Sequence, residues 1–466
     1  IHRGYYLRHL AIEQCINRFV ATASADQTVQ IVSLGAGFDT LFFRLVQQQI
    51  HPALRFVEID CDAIVNAKRD VLDAKIRDLL PAQSLDIASS NDALAYQCTV
   101  VDARASYALA ASDLGDVARL ETLLKAAGVD FRVPTLLLAE CVVSYLEPSS
   151  GTRLLKWLSH AFQTATTVMY DPLALNDAYG ETLRHYFAVK GCELLSLRAF
   201  QTPADHFTRL LRDCKWQSLR IVDMNSVFQT CTSTVEKRRV QQLEAFDEYA
   251  DWVLSNSHYG IFLATNSNTA PAHWSQEFCA AHAVSARRLL SDQPKSTLIL
   301  RSFQPGDLAA VQNLFQSTHL EYSCKAVKKF VTNRVRSGDL ADIQASFLDS
   351  TDSRSHFWVV EALSETAEEA AKIVGSIGLK PRTETTGELC RLSVDTTWRR
   401  RGLASALVET LESFALQCGY ESLYLDTIES MTTAQAFYRS KGFTEAAERE
   451  KFSTFTLVSF SKQLVK

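Results

Sequence analysis

From residue 1 to about residue 265, short unbroken apolar runs alternate with stretches whose apolar residues fall three or four positions apart. The runs are Val29 to Leu34, Leu54 to Ile59, Pro134 to Ala139, Thr166 to Tyr170 and Leu219 to Met224. Runs of that length predict strands buried on both faces, and Ala63 to Leu80 and Leu120 to Ala127 predict helices between them. The alternation predicts an α/β unit, a mostly parallel sheet with helices on both faces, closed by a last strand at His258 to Thr265. Residues 266–296 lose the pattern. They are small and polar, with Pro271 and Pro294, and predict a linker holding a helix over Gln276 to Leu290. A second α/β unit is predicted over 297–466. Its strands lie at Thr297 to Arg301, Phe357 to Ala362, Ile373 to Leu379, Leu389 to Val394 and Ser422 to Asp426, with a long helix after Arg401.

Composition narrows the class. A chain of 466 residues exceeds one ordinary domain, and 47% apolar with 22% charged residues excludes a largely disordered one. The net charge of −5 supplies no general attraction to nucleic acid or anionic membrane. Eleven scattered cysteines contain no C-x-x-C pair, which removes support for zinc or thioredoxin-like chemistry and predicts no metal site. That usage predicts a reducing compartment, the cytoplasm first and the nucleus second. No apolar run is long enough to predict a membrane span. The opening residue, Ile1, predicts that the native N-terminus lies outside this sequence.

Two places carry chemistry. QIVSLGAGFDT (Gln30 to Thr40) reads as a strand entering a glycine turn, where Gly35 and Gly37 allow backbone angles and ligand approach that a Cβ would block. A dinucleotide fingerprint would want glycine where Thr40 stands. Asp60 ends the next predicted strand about twenty residues on, where an acid accepts ribose hydroxyls. Strand, turn and acid together predict a nucleoside-containing cofactor.

IHRGYYLR, SLGAGFDT, VEID, DLGD, PTLLLAECVVSYLEP and VDMN follow in order over residues 1–265. The set resembles the leucine carboxyl methyltransferase family. The resemblance implies a class I S-adenosylmethionine-dependent methyltransferase with a Rossmann-like seven-stranded sheet. It implies that Arg3 meets the methionine carboxylate, Gly35 and Gly37 form the turn, and Asp60 binds ribose. Asp113 and Leu114 would flank the adenine, and Glu140 and Tyr145 would border the reaction centre. Read alone, Asp113 also suits a helix N-cap and Tyr145 also suits ordinary core. Glu140 interrupts an apolar strand end, and a buried carboxylate there needs a partner.

One branch of the family methylates the C-terminal leucine of the protein phosphatase 2A catalytic subunit. Another is the tRNA wybutosine-synthesising branch, acting on a modified guanosine of phenylalanine tRNA. AFDEYADW and HYGIFLA are more similar to the tRNA branch. That branch carries a kelch propeller where this sequence carries its second unit. Gly115 replaces the family's arginine after Asp-Leu, and Tyr170-Asp171-Pro172 stands for Tyr-Glu-Gln. These departures leave open a non-catalytic module that binds S-adenosylmethionine or a partner.

LCRLSVDTTWRRRGLASALVETL (Leu389 to Leu411) reads as a strand, a basic turn and a helix. Arg399, Gly402 and Ala404 fit R-x-x-G-x-A, and the segment resembles the pyrophosphate loop of GCN5-related N-acetyltransferases (GNAT). The resemblance implies acetyl-CoA held at Val394, Arg399, Arg400, Arg401, Gly402, Leu403 and Ala404, by amides at a helix N-terminus. It places Tyr438 where the family protonates the departing thiolate, and Met431 where many members carry asparagine. The residue types alone also allow a solvated basic turn and a core tyrosine. Glu388 is the candidate base for an attacking amine, with a surface salt bridge as its alternative. The expectation is a bifunctional transferase whose acetyl acceptor is a small-molecule or peptide amine.

Overall fold

The computed structural model describes residues 2–80, 84–88, 93–243, 246–267, 283–289, 296–320, 325–349, 354–364, 371–452 and 455–465. The chain divides into two compact units, Ile1–Cys279 and Ala280–Lys466.

The first unit holds β1 (Val29–Leu34), β2 (Leu54–Asp60), β3 (Leu85–Ala88), β4 (Tyr96–Val100), β5 (Ala105–Ala111), β6 (Thr135–Glu140), β7 (Ala165–Pro172), β8 (Ser218–Asp223) and β9 (Tyr259–Thr265). They pair in the order β3-β4-β5-β2-β1-β6-β7-β9-β8. Strands β5, β2, β1, β6 and β7 are parallel, and β9 runs antiparallel between β7 and β8. The seven strands from β5 to β8 are the expected sheet. The β3–β4 hairpin adds two strands beyond β5, and exposed β3 has no apolar run to announce it. All of β1 is buried, Gln30 included, because its amide donates to Thr135 Oγ1 at 2.7 Å and to the Asp130 carbonyl at 3.1 Å.

The helices are α1 (His2–Val20), α2 (Leu41–Gln47), α3 (Asp62–Leu79), α4 (Val117–Ala126), α5 (Pro148–Ala161), α6 (Ala178–Val189), α7 (Pro203–Phe207), α8 (Met224–Cys231), α9 (Thr234–Leu243) and α10 (Tyr249–Ser257). Met224 begins α8 and does not end a strand. The Asp223 carboxylate accepts the Ser226 N–H at 3.0 Å and so caps the helix.

In the second unit β10 (Val284–Leu289), β11 (Ser296–Ser302), β12 (His356–Ser364), β13 (Lys372–Pro381), β14 (Thr386–Val394), β15 (Ser422–Ile428), β16 (Thr444–Lys451) and β17 (Thr456–Gln463) form one sheet. Its order is β10-β11-β12-β13-β14-β15-β17-β16, antiparallel except at β14–β15. The expected linker helix is corrected here. Residues 276–282 and Leu290 lie outside the described residues, but Val284–Leu289 is a strand paired with β11.

Helices α11 (Leu308–Leu320) and α12 (Lys325–Arg336) cover one face of this sheet, and α13 (Leu403–Gln417) and α14 (Thr432–Ser440) cover the other. Parallel pairing of β14 with β15 is confined to Thr386–Glu388 against Ser422–Tyr424. Both strands run on past that point unpaired to each other, which opens a wedge in the sheet. Among the described residues, no helix is long and apolar enough to cross a membrane.

Candidate active sites

Strands β1, β2, β5 and β6 end at one edge of the first sheet. The chain leaves β1 toward β2 on one side while β6 lies on the other, the switch point where open α/β sheets form ligand crevices. Gly35 sits there at φ +63°, donating its N–H to the Ile59 carbonyl at 2.7 Å, and an added Cβ would meet Val142 at 2.5 Å. Gly37, at φ +54°, would carry a Cβ into open space, with nothing within 4 Å. The Asp60 carboxylate accepts the Gly37 N–H and the Cys61 N–H, each at 2.7 Å. Turn and acid are therefore one hydrogen-bonded unit.

Asp113 follows β5 and accepts the Gly115 N–H at 2.7 Å, with Leu114 buried beside it. The N-cap of α4 is Asp116, which accepts from Arg119 N–H, so Asp113 is not spent on that helix. Glu140 ends β6, and Arg8 Nε donates to it at 2.7 Å. The Arg8 guanidinium also stands 4.9 Å over the Tyr170 ring. A cleft of ≈ 560 Å³ lies among Arg8, Ser33, Gly35, Gly37, Arg44 and Glu140. The next residue, Cys141, holds φ +56°, an uncommon angle for a side-chain-bearing residue. Burial pushes its thiol up to about 12, which favours the thiol over the thiolate.

Two expected residues stand elsewhere. Arg3 lies over the Phe246 ring at 4.2 Å, in a small cavity with Phe228, Lys237 and Trp252. Tyr145 packs against Phe187 at 6.1 Å beside Leu175 and Leu194, and burial raises its phenol to about 12. The residue passed over was Arg8. The signal for it was Glu140 itself, a carboxylate at a buried strand end that requires a cation.

The wedge in the second sheet opens onto a cleft of ≈ 560 Å³ lined by Val394, Arg399, Arg400, Gly402, Leu403, Ala404 and Tyr438, so one cavity collects seven of the nine residues expected there. Arg400 and Gly402 both take positive φ, +63° and +79°, turning the chain into α13. Gly402 is the N-cap of α13 without a side-chain cap bond, and a Cβ there would meet nothing within 4 Å. The first amides of a fifteen-residue helix thus face the cleft mouth. Arg399 Nε donates to the Val394 carbonyl at 3.2 Å, whereas Arg401 turns away to lie 4.9 Å over Trp398.

Tyr438 is buried against Phe443 and Phe460, and desolvation raises its pKa, keeping the hydroxyl protonated. Ser393 lines the same cleft, and its buried Oγ has no hydrogen-bond partner among the described residues. Glu388 is not on the cleft wall. It stands at the closed end of the wedge, opposite Lys380 and Tyr424. Among the described residues, no three His, Cys, Asp or Glu side chains converge as metal ligands.

The sequence model of the leucine carboxyl methyltransferase family matches residues 1–159. A leucine carboxyl methyltransferase 1 homolog of Arabidopsis thaliana is 33% identical over 268 residues, covering 57% of this chain and 77% of that protein. The chain belongs to the leucine carboxyl methyltransferase family. Within that family it is also similar to human tRNA wybutosine-synthesizing protein 4, at 33% identity over 272 residues, which are 58% of this chain and 39% of the human protein. Bovine leucine carboxyl methyltransferase 1 is 30% identical, with 58% of this chain and 78% of that protein covered.

The acetyltransferase (GNAT) family model matches residues 323–443, so this member of the leucine carboxyl methyltransferase family also carries a GNAT-family domain. Among solved structures, a GNAT-family acetyltransferase from Staphylococcus aureus is 19% identical with a TM-score of 0.29, covering 36% of this chain and 99% of that one. An acetyltransferase from Streptococcus agalactiae is 20% identical with a TM-score of 0.28, covering 36% and 98%.

Proposed function

We propose that the chain is a bifunctional transferase, an S-adenosylmethionine-dependent carboxyl methyltransferase joined to an acetyl-CoA-dependent N-acetyltransferase. The first half rests on the convergence of Gly35, Gly37, Asp60, Asp113 and Glu140 at one strand edge. S-adenosylmethionine supplies the methyl group when bound. The open space at Gly37 admits it, and Asp60, oriented by two amides, presents its carboxylate to the ribose. Asp113 and Leu114 take the adenine side. Arg8 brings positive charge to the cleft wall for a carboxylate, with Arg3 farther along the same helix. A carboxylate acceptor is already ionised at pH 7, so these residues have no proton to remove. Their work is alignment and exclusion of water.

For the acceptor, the tRNA reading is favoured by the surface around α8 to α10. Phe228, Phe246, Tyr249 and Trp252 cluster there with Arg3 and Lys237, which stand over the Phe246 and Phe228 rings at 4.2 and 5.4 Å. Aromatic faces beside cations suit unstacked bases and phosphates. A C-terminal leucine carboxylate, as on the phosphatase 2A catalytic subunit, is the second reading, favoured by the 77% coverage of the Arabidopsis relative. Labelled S-adenosylmethionine offered in parallel to phenylalanine tRNA from cells stalled before wybutosine methylation and to the phosphatase subunit separates them. Label in the tRNA supports the first reading, and label on the phosphatase replaces it with the second. Cofactor bound with neither acceptor labelled would make the unit a binding module and Gly115 the reason.

The second half rests on the cationic glycine turn and Tyr438 sharing one cleft. The uncapped amides of α13 with Arg399 and Arg400 suit a pyrophosphate, and the unpartnered Ser393 hydroxyl suits a polar group deeper in. Titration calorimetry with coenzyme A tests this directly, and absence of binding would overturn it.

A further inference from the structure

Resting on the acetyltransferase reading, we propose that Ser393 donates a hydrogen bond to the thioester carbonyl oxygen of acetyl-coenzyme A and so holds the acyl group in the cleft of the second unit. Ser393 lines that cleft with Tyr438, Arg400 and Gly402. It is 3% exposed, and its buried Oγ has no hydrogen-bond partner among the described residues. Its neighbour across the ladder, Ser376, is already engaged, because the Ser376 hydroxyl donates to the Arg391 carbonyl at 3.2 Å. A buried hydroxyl left unpaired has lost water and gained nothing in return. A ligand group that pairs with Ser393 recovers that loss.

A bulge in β14 sets the face on which this hydroxyl stands. Ser393 pairs with Ser376 and Cys390 with Gly378, so β14 takes three steps where β13 takes two. Arg391 lies in that stretch at φ +57°, and Asp339 accepts from its guanidinium at 3.0 and 3.1 Å. In a regular strand residues 390 and 393 would face opposite ways, whereas one extra residue puts them on the same face. Cys390 packs with Val311, Leu314 and Phe315 of α11, while Leu392 and Val394 pack with the core under α13. Ser393 therefore enters the cleft from the α11 side, where Thr318 and His319 also line it, and Tyr438 enters from the α14 side. On the proposed reading the α13 amides and the arginines serve the pyrophosphate, and Tyr438 serves the sulfur. The polar atom next to that sulfur is the carbonyl oxygen, which can only accept, and a serine hydroxyl can donate to it.

The test is titration calorimetry on the full chain with acetyl-coenzyme A and with S-ethyl-coenzyme A, which has a methylene in place of the carbonyl. The unmodified chain should bind acetyl-coenzyme A roughly fivefold to tenfold more tightly, the range of one neutral hydrogen bond. Ser393→Ala should abolish that gap by weakening acetyl-coenzyme A alone, and Ser393→Thr, which keeps the hydroxyl, should retain it. The melting temperature of Ser393→Ala should not fall, since the hydroxyl it removes has no partner to lose. A gap that survives in Ser393→Ala, equal weakening of both ligands, no gap in the unmodified chain, or a lowered melting temperature would each overturn the assignment. If neither ligand nor coenzyme A itself binds the unmodified chain, the acetyltransferase reading fails instead.

Discussion

The two glycine turns use one geometric device with opposite electrostatics. At Gly35–Gly37 the nearest fixed charge is the Asp60 carboxylate, bound by the turn's own amide, and Thr40 gives α2 no side-chain cap. At Arg400–Gly402 the turn is cationic, and its N-cap, Gly402, makes no side-chain cap bond to the helix amides. Left-handed backbone and missing Cβ atoms give both turns close approach. On the proposed reading, the charge beside the turn selects the ligand, ribose hydroxyls at a carboxylate and a pyrophosphate at amides and arginines. The chemistry differs in the same way. A carboxylate nucleophile asks for no proton transfer, while an amine attacking a thioester needs a base and an acid.

Gly402→Glu should break the comparison most strongly. It places a side chain at φ +79° and a negative charge in the anion cradle. The backbone term alone is about 1–2 kcal/mol, and like-charge repulsion adds to it. Coenzyme A affinity should fall at least roughly 100-fold, about 2.7 kcal/mol, with S-adenosylmethionine affinity unchanged. Calorimetry with both cofactors reads this, and ordinary coenzyme A binding would remove the turn from the site. Tyr438→Phe comes next. Loss of one acid costs on the order of 100-fold in transfer rate. Acetyl-CoA affinity should stay within about twofold and methyl transfer should not change. Equal loss of binding and rate would mean that Tyr438 only packs.

Asp60→Ala probes the other turn. It removes the acceptor for the Gly37 and Cys61 amides together with the proposed ribose contact. Hydrogen bonds to a charged group are worth about 1.5–3 kcal/mol, so S-adenosylmethionine binding should weaken by roughly 10- to 100-fold. Coenzyme A binding should not move. A fall in both affinities would show that the two sites are coupled.

How much of this the sequence disclosed depends on burial and locality. Strand β1 was legible because all six of its residues are buried, and R-x-x-G-x-A because the turn it marks is built from consecutive residues. Strand β3 was not, since an exposed edge strand leaves no apolar run. Strand β10 was hidden by a mixed polar composition that only pairing with β11 makes extended. The site shows the same divide. Gly35, Gly37 and Asp60 are joined through adjacent strand ends, whereas Arg8 meets Glu140 across 132 positions and His319 reaches the cleft of the second unit from α11. Contacts made by the fold carry no local spacing to read.

The smallest expected effect concerns the floor of the first unit, and its sign follows from burial. Asp171, in the Tyr-Asp-Pro segment, is buried, and desolvation raises its pKa to about 7 although Ser144 Oγ donates to it at 2.8 Å. An unfolded aspartate titrates near 4, at about 3.9. Between about pH 4 and pH 7 the folded chain therefore holds a proton that the unfolded chain has released, so stability falls as pH rises. Glu58, also raised to about 7 by burial, adds a slope of the same sign. Asp171→Asn keeps an oxygen for Ser144 and removes the charge. The melting temperature of the first unit should then fall less between pH 5 and pH 8, by a few degrees at about 2–4 °C per kcal/mol, with the Glu58 slope remaining. The second unit gains no such term from this change. An unaltered or steeper pH dependence in the variant would mean that Asp171 is solvated and charged in the folded protein, and that the altered segment reshapes the cleft instead of lying beneath it.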